Sequence, residues 1–116
     1  MKIRIKGNSL RYRLTKTDVE QFSLNGYIEE IIDFGSQTLT YALERSGFNS
    51  LIATFDHNKI TLLMPAKMAT EWERTDRVGF EGFDNNLFLL IEKDFKCLDN
   101  VAEDQSDNYP NPLAKS

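Results

Sequence analysis

Cysteine and histidine are nearly absent from this sequence of 116 residues. Cys97 is its single cysteine and His57 its single histidine. One cysteine cannot form a disulfide within the chain, and two soft ligands are too few for a structural zinc site, which takes four. Long apolar runs are also missing, since none approaches the ~18 residues of a transmembrane helix. Residues 1–16 alternate charge with hydrophobe and do not have the apolar core of a signal peptide. We therefore expect a cytoplasmic protein that does not enter the membrane.

Length and composition predict a single domain followed by a polar tail. A chain of this length with 41% hydrophobic residues can bury one core, and it is too short for separate cofactor and substrate lobes. Residues 99–116 are polar, contain two of the three prolines and carry four acids against one lysine. We expect one compact domain at 1–98 and a tail at 99–116 outside the core.

The charge is distributed unevenly along the chain. Its net value is −4, which alone argues against a nucleic-acid partner. Residues 1–16, however, hold six of the 14 basic residues and none of the 18 acids. The asymmetry therefore matters more than the sum, and net charge does not exclude an anionic ligand for the first segment.

The first half has the pattern of a hairpin, a helix and a second strand pair. We predict strands at 2–6 and 10–14, a helix between 15 and 26, and strands at 27–34 and 38–43. Gly7 supplies the permissive backbone of the first turn, Thr15 with Asp18 is typical of a helix N-cap, and Gly26 of a C-cap. The apolar residues expected to face the core in the hairpin are Ile3, Ile5, Leu10, Tyr12 and Leu14.

The same order of elements reappears from residue 51. At an offset of 50, Leu10, Tyr12, Leu14, Phe22 and Ile28 fall on Ile60, Leu62, Met64, Trp72 and Val78. In this half Ala53 and Phe55 are expected to face inward, and Pro65 opens the helix. We predict a β-rich α+β domain of two tandem β-β-α-β-β units, at 2–44 and 50–92.

Short motifs in both halves resemble the AbrB/MazE-type swapped-hairpin domain. The matching segments are Lys6-Gly7-Asn8-Ser9, Arg13-Leu14, Met64-Pro65-Ala66-Lys67-Met68-Ala69 and Asp76-Arg77-Val78. The resemblance covers about residues 2–92, although Thr15 stands where the family usually has proline. It implies a barrel formed by hairpin exchange, here between two units of one chain. The whole chain also resembles small bacterial proteins of no assigned function.

The outward side of the first hairpin is basic and is the candidate nucleic-acid-binding surface. Its cations are Lys2, Arg4, Lys6, Arg11 and Arg13, with no carboxylate between them in the sequence. Like charges opposed across strands are destabilising, so an anion could compensate them. The resemblance implies DNA contacts by this hairpin, with Arg4, Asn8, Ser9 and Arg13 as the positions that match best. Arginine can bind phosphate or guanine through two parallel hydrogen bonds, and a hairpin is slim enough to enter a major groove.

Three alternatives stay open for this basic surface: DNA binding, a solvated or self-paired face, and another anionic partner. The second half has no equivalent surface, since its outward positions are Ile52, Thr54, Asp56, Thr61 and Leu63. A monomer with internal pseudo-two-fold symmetry would therefore have one basic face, whereas a homodimer would have two.

A protein partner is the alternative ligand class. Outward Ile52 and Leu63 would form an apolar strand surface, which usually marks a contact. The acidic tail could wrap a basic partner, as the resemblance to antitoxins implies. Its anchors would be Phe95, Leu98, Val101 and Tyr109, and the same residues could instead dock on their own chain.

Nothing in the sequence indicates an enzyme or a cofactor. His57 lies in a predicted turn, Cys97 has no histidine near it in sequence, and no glycine-rich phosphate loop is present. The carboxylates of Asp99, Glu103, Asp104 and Asp107 could gather a cation such as calcium, but without the glycine and spacing of an EF-hand loop. We therefore expect a non-enzymatic binding domain.

Overall fold

The computed structural model describes residues 1–95, Asp107 and Tyr109. Within them, eight strands and two helices follow one another in two β-β-α-β-β runs. The elements are β1 (Lys2–Ile5), β2 (Ser9–Leu14), α1 (Lys16–Asn25), β3 (Tyr27–Asp33), β4 (Thr38–Ser46), β5 (Ile52–Asp56), β6 (Lys59–Pro65), α2 (Ala66–Arg74), β7 (Gly79–Asp84) and β8 (Leu87–Lys93). The predicted β-rich α+β class is confirmed. Cys97, Leu98, Asp99, Val101, Glu103 and Asp104 lie outside the described residues.

The described strands form two four-stranded sheets. The first sheet has the order β1-β2-β8-β7 and the second has the order β3-β4-β6-β5. The outer pairs are antiparallel hairpins, whereas the central pairs, β2 with β8 and β4 with β6, are parallel. Each half of the chain therefore contributes one hairpin to each sheet. The described strands stay in two sheets and do not join into one closed barrel.

The two halves repeat the same hairpin register. Lys2 is opposite Arg13, and Ile52 is opposite Leu63, 50 residues further along. The helices keep this offset at their first residues, Lys16 and Ala66. The repetition therefore extends from the hairpin through the helix.

The offset changes after the helices. Ile28 is opposite Leu43 in the second sheet, and the residue opposite Ile91 in the first sheet is Phe80. Phe80 thus occupies the place that the offset of 50 assigned to Val78, which is exposed and precedes β7. That alignment was wrong, because the connection after α2 is longer than the one after α1.

Local backbone signals behave as the sequence predicts. Thr15 caps α1 through a reciprocal capping box with Asp18, and Gly26 ends the helix with a left-handed φ of 69°. His57 and Asn58 both have positive φ in the two-residue turn between β5 and β6, as a type I′ turn requires. These turns and caps set where each strand begins.

The core lies between the two sheets and the two helices. Phe22 of α1 and Trp72 of α2 meet edge to face with ring centroids 6.3 Å apart, and the Trp72 indole donates to the Val78 carbonyl at 2.9 Å. The largest fully buried side chains are Trp72, Tyr12, Phe22, Leu14, Leu43, Leu62, Met64, Leu89 and Ile91. Tyr12 and Leu14 are among them, at the alternating positions of β2 that the sequence assigns to the core.

Two expected core residues are instead exposed. Ile5 is 61% exposed and Phe55 is 70% exposed, although both belong to the inward-facing alternation. They occupy equivalent positions at the turn ends of β1 and β5, the outer strands of the two sheets. An edge strand has a neighbour on one side only, so its terminal side chains face solvent.

The described part of the predicted tail packs on the domain. The Asp107 carbonyl accepts from the Lys16 amide at 3.2 Å, and the Tyr109 amide donates to the Asp94 carbonyl at 2.7 Å. Tyr109 is half-buried against the core, with its ring 5.7 Å from that of Phe95. Asp107 is exposed, as expected for the tail, whereas Tyr109 is partly buried against the core.

Candidate nucleic-acid interface

The side of the first sheet that faces away from the core, called here the outer face, consists of three rows of side chains in register. Alternate residues of β2 and β8, such as Tyr12 and Ile91, are fully buried, so their neighbours point outward. The turn row contains Ser9, Phe88 and Phe83; the middle row Arg4, Arg11, Leu90 and Glu81; and the base row Lys2, Arg13, Glu92 and Gly79. The four strands thus place the basic hairpin beside residues of the second half.

Carboxylates of the second half neutralise part of the basic surface. The Arg13 guanidinium donates to Glu92 on β8 at 2.9 Å, and Arg11 approaches the same carboxylate at 3.7 Å. Lys2 pairs with Asp94 at 3.2 Å. The sequence has no carboxylate between these cations, and the parallel pairing of β2 with β8 brings acids from the other half beside them.

Arg4 and Lys6 differ from the other cations. Among the described residues, neither forms a salt bridge. Both border a depression of about 130 Å³, called here the basic depression, which Arg4, Lys6, Ser9, Leu10, Arg11 and Phe88 line. It therefore holds three cationic side chains and no carboxylate, which is the composition of an anion site.

Asn8 and Ser9 hold the turn rather than present free donors. The Asn8 side-chain amide donates to the Asn86 carbonyl at 2.8 Å, and the Ser9 hydroxyl donates to the Lys6 carbonyl at 2.6 Å. Gly7, with a φ of 55°, allows the tight turn between β1 and β2. The Asn8 and Ser9 side chains, for which the resemblance implied DNA contacts, therefore donate to backbone carbonyls of their own chain.

The hairpin is not a free arm. The backbone of β2 pairs with β8 over its whole length, and the Phe88 amide donates to the Asn8 carbonyl at 3.1 Å. A four-stranded sheet is about 14 Å across its backbones, wider than the roughly 12 Å of a major groove. The first hairpin is therefore part of a four-stranded sheet and does not stand as an isolated two-stranded arm.

An aromatic pair borders the basic depression and was missed at the sequence level. Phe83 and Phe88 meet edge to face with ring centroids 5.3 Å apart, and Phe83 is 68% exposed. Strict alternation from buried Phe80 places Phe83 on the outer face, so the pattern of β7 contained the signal. Its position beside the cations depends on the pairing of β2 with β8.

The expected partner-binding residues divide into two groups. Ile52 and Leu63 face each other on the second sheet and are half-buried rather than fully exposed. Phe95 and Tyr109 contact one another and their own chain, which corresponds to the alternative of self-docking. The structure therefore does not bring these residues together into one apolar surface.

No metal site is found in residues 1–95, 107 and 109, where three or more histidine, cysteine or acidic side chains do not converge. The Asp107 carboxylate accepts from the Thr17 hydroxyl at 3.0 Å, and hydrogen bonds from Thr15 and Thr17 hold its pKa below the ordinary value. Asp107 therefore accepts hydrogen bonds at the beginning of α1.

His57 is exposed in its turn, with Nδ1 2.9 Å from the Asp56 carboxylate. In the described part of the chain, neither helix is long and apolar enough to cross a membrane.

Comparison with known proteins gives one match. Neither the curated proteins nor the solved structures contain a match to this sequence. The model of a family of unknown function, DUF7009, matches residues 1–113, which include the basic hairpin, both halves and the described tail residues. Because the match spans nearly the whole sequence, the chain belongs to the DUF7009 family.

Proposed function

We propose that the chain is a non-enzymatic nucleic-acid-binding domain whose ligand surface is the outer face of the first sheet. The observation that carries the proposal is the basic depression, whose lining contains Arg4, Lys6 and Arg11 and no acidic residue; Glu92, outside the lining, approaches Arg11 at 3.7 Å. A DNA phosphate is an anion with several acceptor oxygens, and arginine can bind two of them at once.

Opposed like charges support a ligand at this surface. Arg4 and Arg11 lie directly opposite each other on antiparallel strands, an arrangement that costs stability. Cations on an edge strand such as β1 discourage pairing with other chains, which could account for Arg4. That explanation does not extend to Arg11, because β2 is an interior strand.

The number of contacts sets the expected affinity. If Arg4, Lys6 and Arg11 each neutralise one backbone phosphate, a plot of log affinity against log salt should have a slope of roughly −2 to −3, at about −0.7 per contact for a single strand and about −0.9 for a duplex. Such a ligand binds weakly at physiological salt and more tightly at low salt. The second sheet has Thr54 and Thr61 in the places of Arg4 and Arg11, so the described part of the chain has this pair of arginines on the first sheet and not on the second.

The exchange of hairpins between halves supports a finer proposal about architecture. The β1-β2 hairpin joins the β7-β8 hairpin through β2 and β8, and the β3-β4 hairpin joins the β5-β6 hairpin through β4 and β6, so each sheet combines one hairpin from each half. We propose that the chain is an intramolecular form of that arrangement, in agreement with the AbrB/MazE resemblance. A protein that is monomeric in solution would agree with this proposal. An obligate dimer that exchanges hairpins between chains would contradict it.

Fluorescence anisotropy with labelled DNA tests the proposed function. We expect binding at about 50 mM salt that Arg4→Gln with Arg11→Gln weakens strongly. The matched control is Lys67→Gln with Arg74→Gln, which removes the same charge from exposed positions of α2 and should leave more of the affinity intact. No binding at low salt, or an equal loss in both double variants, would contradict the proposal.

Protein interaction is a second candidate function, and exposed apolar side chains on the second sheet favour it. Phe34 is 66% exposed and Phe55 is 70% exposed, both near the turns of that sheet. A partner that co-purifies with the unaltered chain should be lost after Phe34→Ser with Phe55→Ser, while Leu24→Ser on α1 should retain it. Retention of the partner by the double variant would exclude this surface.

A further inference from the structure

The turn row joins the basic depression to an exposed aromatic ring. Ser9, Phe88 and Phe83 are in register on three neighbouring strands, so Phe83 lies roughly 10 Å from Ser9 at about 4.8 Å per strand. Phe88 belongs to both features, because it lines the basic depression and contacts the Phe83 ring.

Carboxylates confine an anionic ligand to this turn row. The middle row ends at Glu81, and the base row contains Glu92, which already binds Arg13. Phosphates that followed either row across the sheet would meet a negative charge. A ligand that starts at Arg4 and Lys6 is therefore directed past Ser9 toward the two phenylalanines.

We propose that the ligand of this surface is single-stranded nucleic acid, with backbone phosphates bound by Arg4, Lys6 and Arg11 and a base stacked on Phe83. This inference rests on the proposed function and specifies its ligand class. Positively charged grooves that follow the backbone, combined with aromatic rings that stack on bases, are the common means of holding single strands. In a duplex, the base faces are already stacked and are not accessible to a side chain on a sheet surface.

The geometry of the aromatic pair suits this role. Phe88 is half-buried and contacts Phe83 at an interplanar angle of 62°, which limits the orientations of the Phe83 ring. Phe83 itself is 68% exposed, so most of its surface is accessible to a base. A ring held in this way loses little conformational freedom when a base stacks on it.

The experiment compares a labelled oligothymidylate strand with a duplex of the same length by fluorescence anisotropy at low salt. We expect the unaltered protein to bind the single strand more tightly. Phe83→Ala should weaken that binding at least about fivefold, the lower end for one stacked base, and leave duplex binding unchanged. Phe83→Leu keeps an apolar side chain without the aromatic face, and it should show the same loss.

Phe55→Ala is the matched control, because Phe55 is equally exposed but lies on the second sheet. It should leave the affinity for the single strand unchanged. Equal affinity of Phe83→Ala and the unaltered protein for the strand, or tighter binding of the duplex, would overturn the single-strand inference alone if Arg4→Gln with Arg11→Gln still weakens binding. Absence of binding to both ligands would overturn the proposed function as well. An oligouridylate run in parallel distinguishes RNA from DNA as the preferred strand.

Discussion

Arg4 and Arg11 lie directly opposite each other on β1 and β2, and the equivalent positions of the other half are occupied by two threonines, Thr54 and Thr61. Glu92 approaches Arg11 at 3.7 Å, but its shorter contact, at 2.9 Å, is with Arg13. The two hairpins therefore share a register and differ in charge. We attribute the difference to a ligand surface that only the first hairpin provides.

Arg4→Gln should increase the stability of the free protein. The substitution removes a like-charge pair across two strands, and the expected gain in the free energy of unfolding is about 0.2–1 kcal/mol at low salt. Urea denaturation measures it, and high salt should reduce the gain because the repulsion is screened. Loss of stability in the Gln variant would contradict unfavourable repulsion at this pair.

Glu92→Gln should increase the affinity for nucleic acid. Its carboxylate occupies Arg13 and lies near Arg11, so its removal frees both guanidinium groups and removes a negative charge from the surface. We expect a gain of roughly 1.4-fold to fivefold, because an ion pair of about 0.2–1 kcal/mol no longer competes. Glu44→Gln, at the equivalent position of the second sheet, is the control. A weaker affinity in Glu92→Gln would show that Glu92 positions the arginines for binding.

Asp107→Asn should remove a pH-dependent part of the stability. Hydrogen bonds from Thr15 and Thr17 lower the pKa of Asp107 in the folded chain below its ordinary value of 3.8. The stabilisation is therefore complete above that ordinary value and is lost as the pH falls through the lower folded pKa. Urea denaturation should show the variant less stable than the unaltered chain at neutral pH and equally stable in strong acid. A difference that does not depend on pH would exclude the carboxylate as its cause.

Phe22→Ala should be strongly destabilising. Phe22 is fully buried and packs against Trp72, so the truncation leaves a cavity between the two helices, with an expected cost of about 3–5 kcal/mol. Trp72 is the only tryptophan, and its fluorescence reports unfolding directly. Leu24→Ala, at an 85% exposed position of the same helix, should change stability by less than about 0.5 kcal/mol. A similar loss in both variants would contradict helix packing through Phe22.

Local features of this fold could be predicted because their causes lie within a few residues. The cap at Thr15 depends on Asp18 three residues on, and the turn at Gly7 depends on its own backbone freedom. The alternation of apolar side chains likewise identified the inward face of β2, where Leu10, Tyr12 and Leu14 are buried. The exposure of Ile5 was not predictable from this pattern, because alternation does not indicate which strand will lie at the edge of a sheet.

The composition of the candidate site depends on a contact that no local pattern encodes. Arg13 and Glu92 are 79 residues apart and meet through the parallel pairing of β2 with β8. The sequence identified the cations of the first hairpin, but the partners that distinguish Arg13 from Arg4 come from the other half. Phe83 likewise lies near the cations because β2 pairs with β8 and β8 pairs with β7, the strand that contains it.

The salt dependence of nucleic-acid binding tests the central claim most directly. We predict that Arg4→Gln with Arg11→Gln reduces the magnitude of the slope of log affinity against log salt by roughly 1.4 to 1.8, because each lost phosphate contact contributes about 0.7 for a single strand and about 0.9 for a duplex. The charge-matched pair Lys67→Gln with Arg74→Gln should leave the slope unchanged. An unchanged slope in the Arg4 and Arg11 variant would contradict phosphate binding at the basic depression.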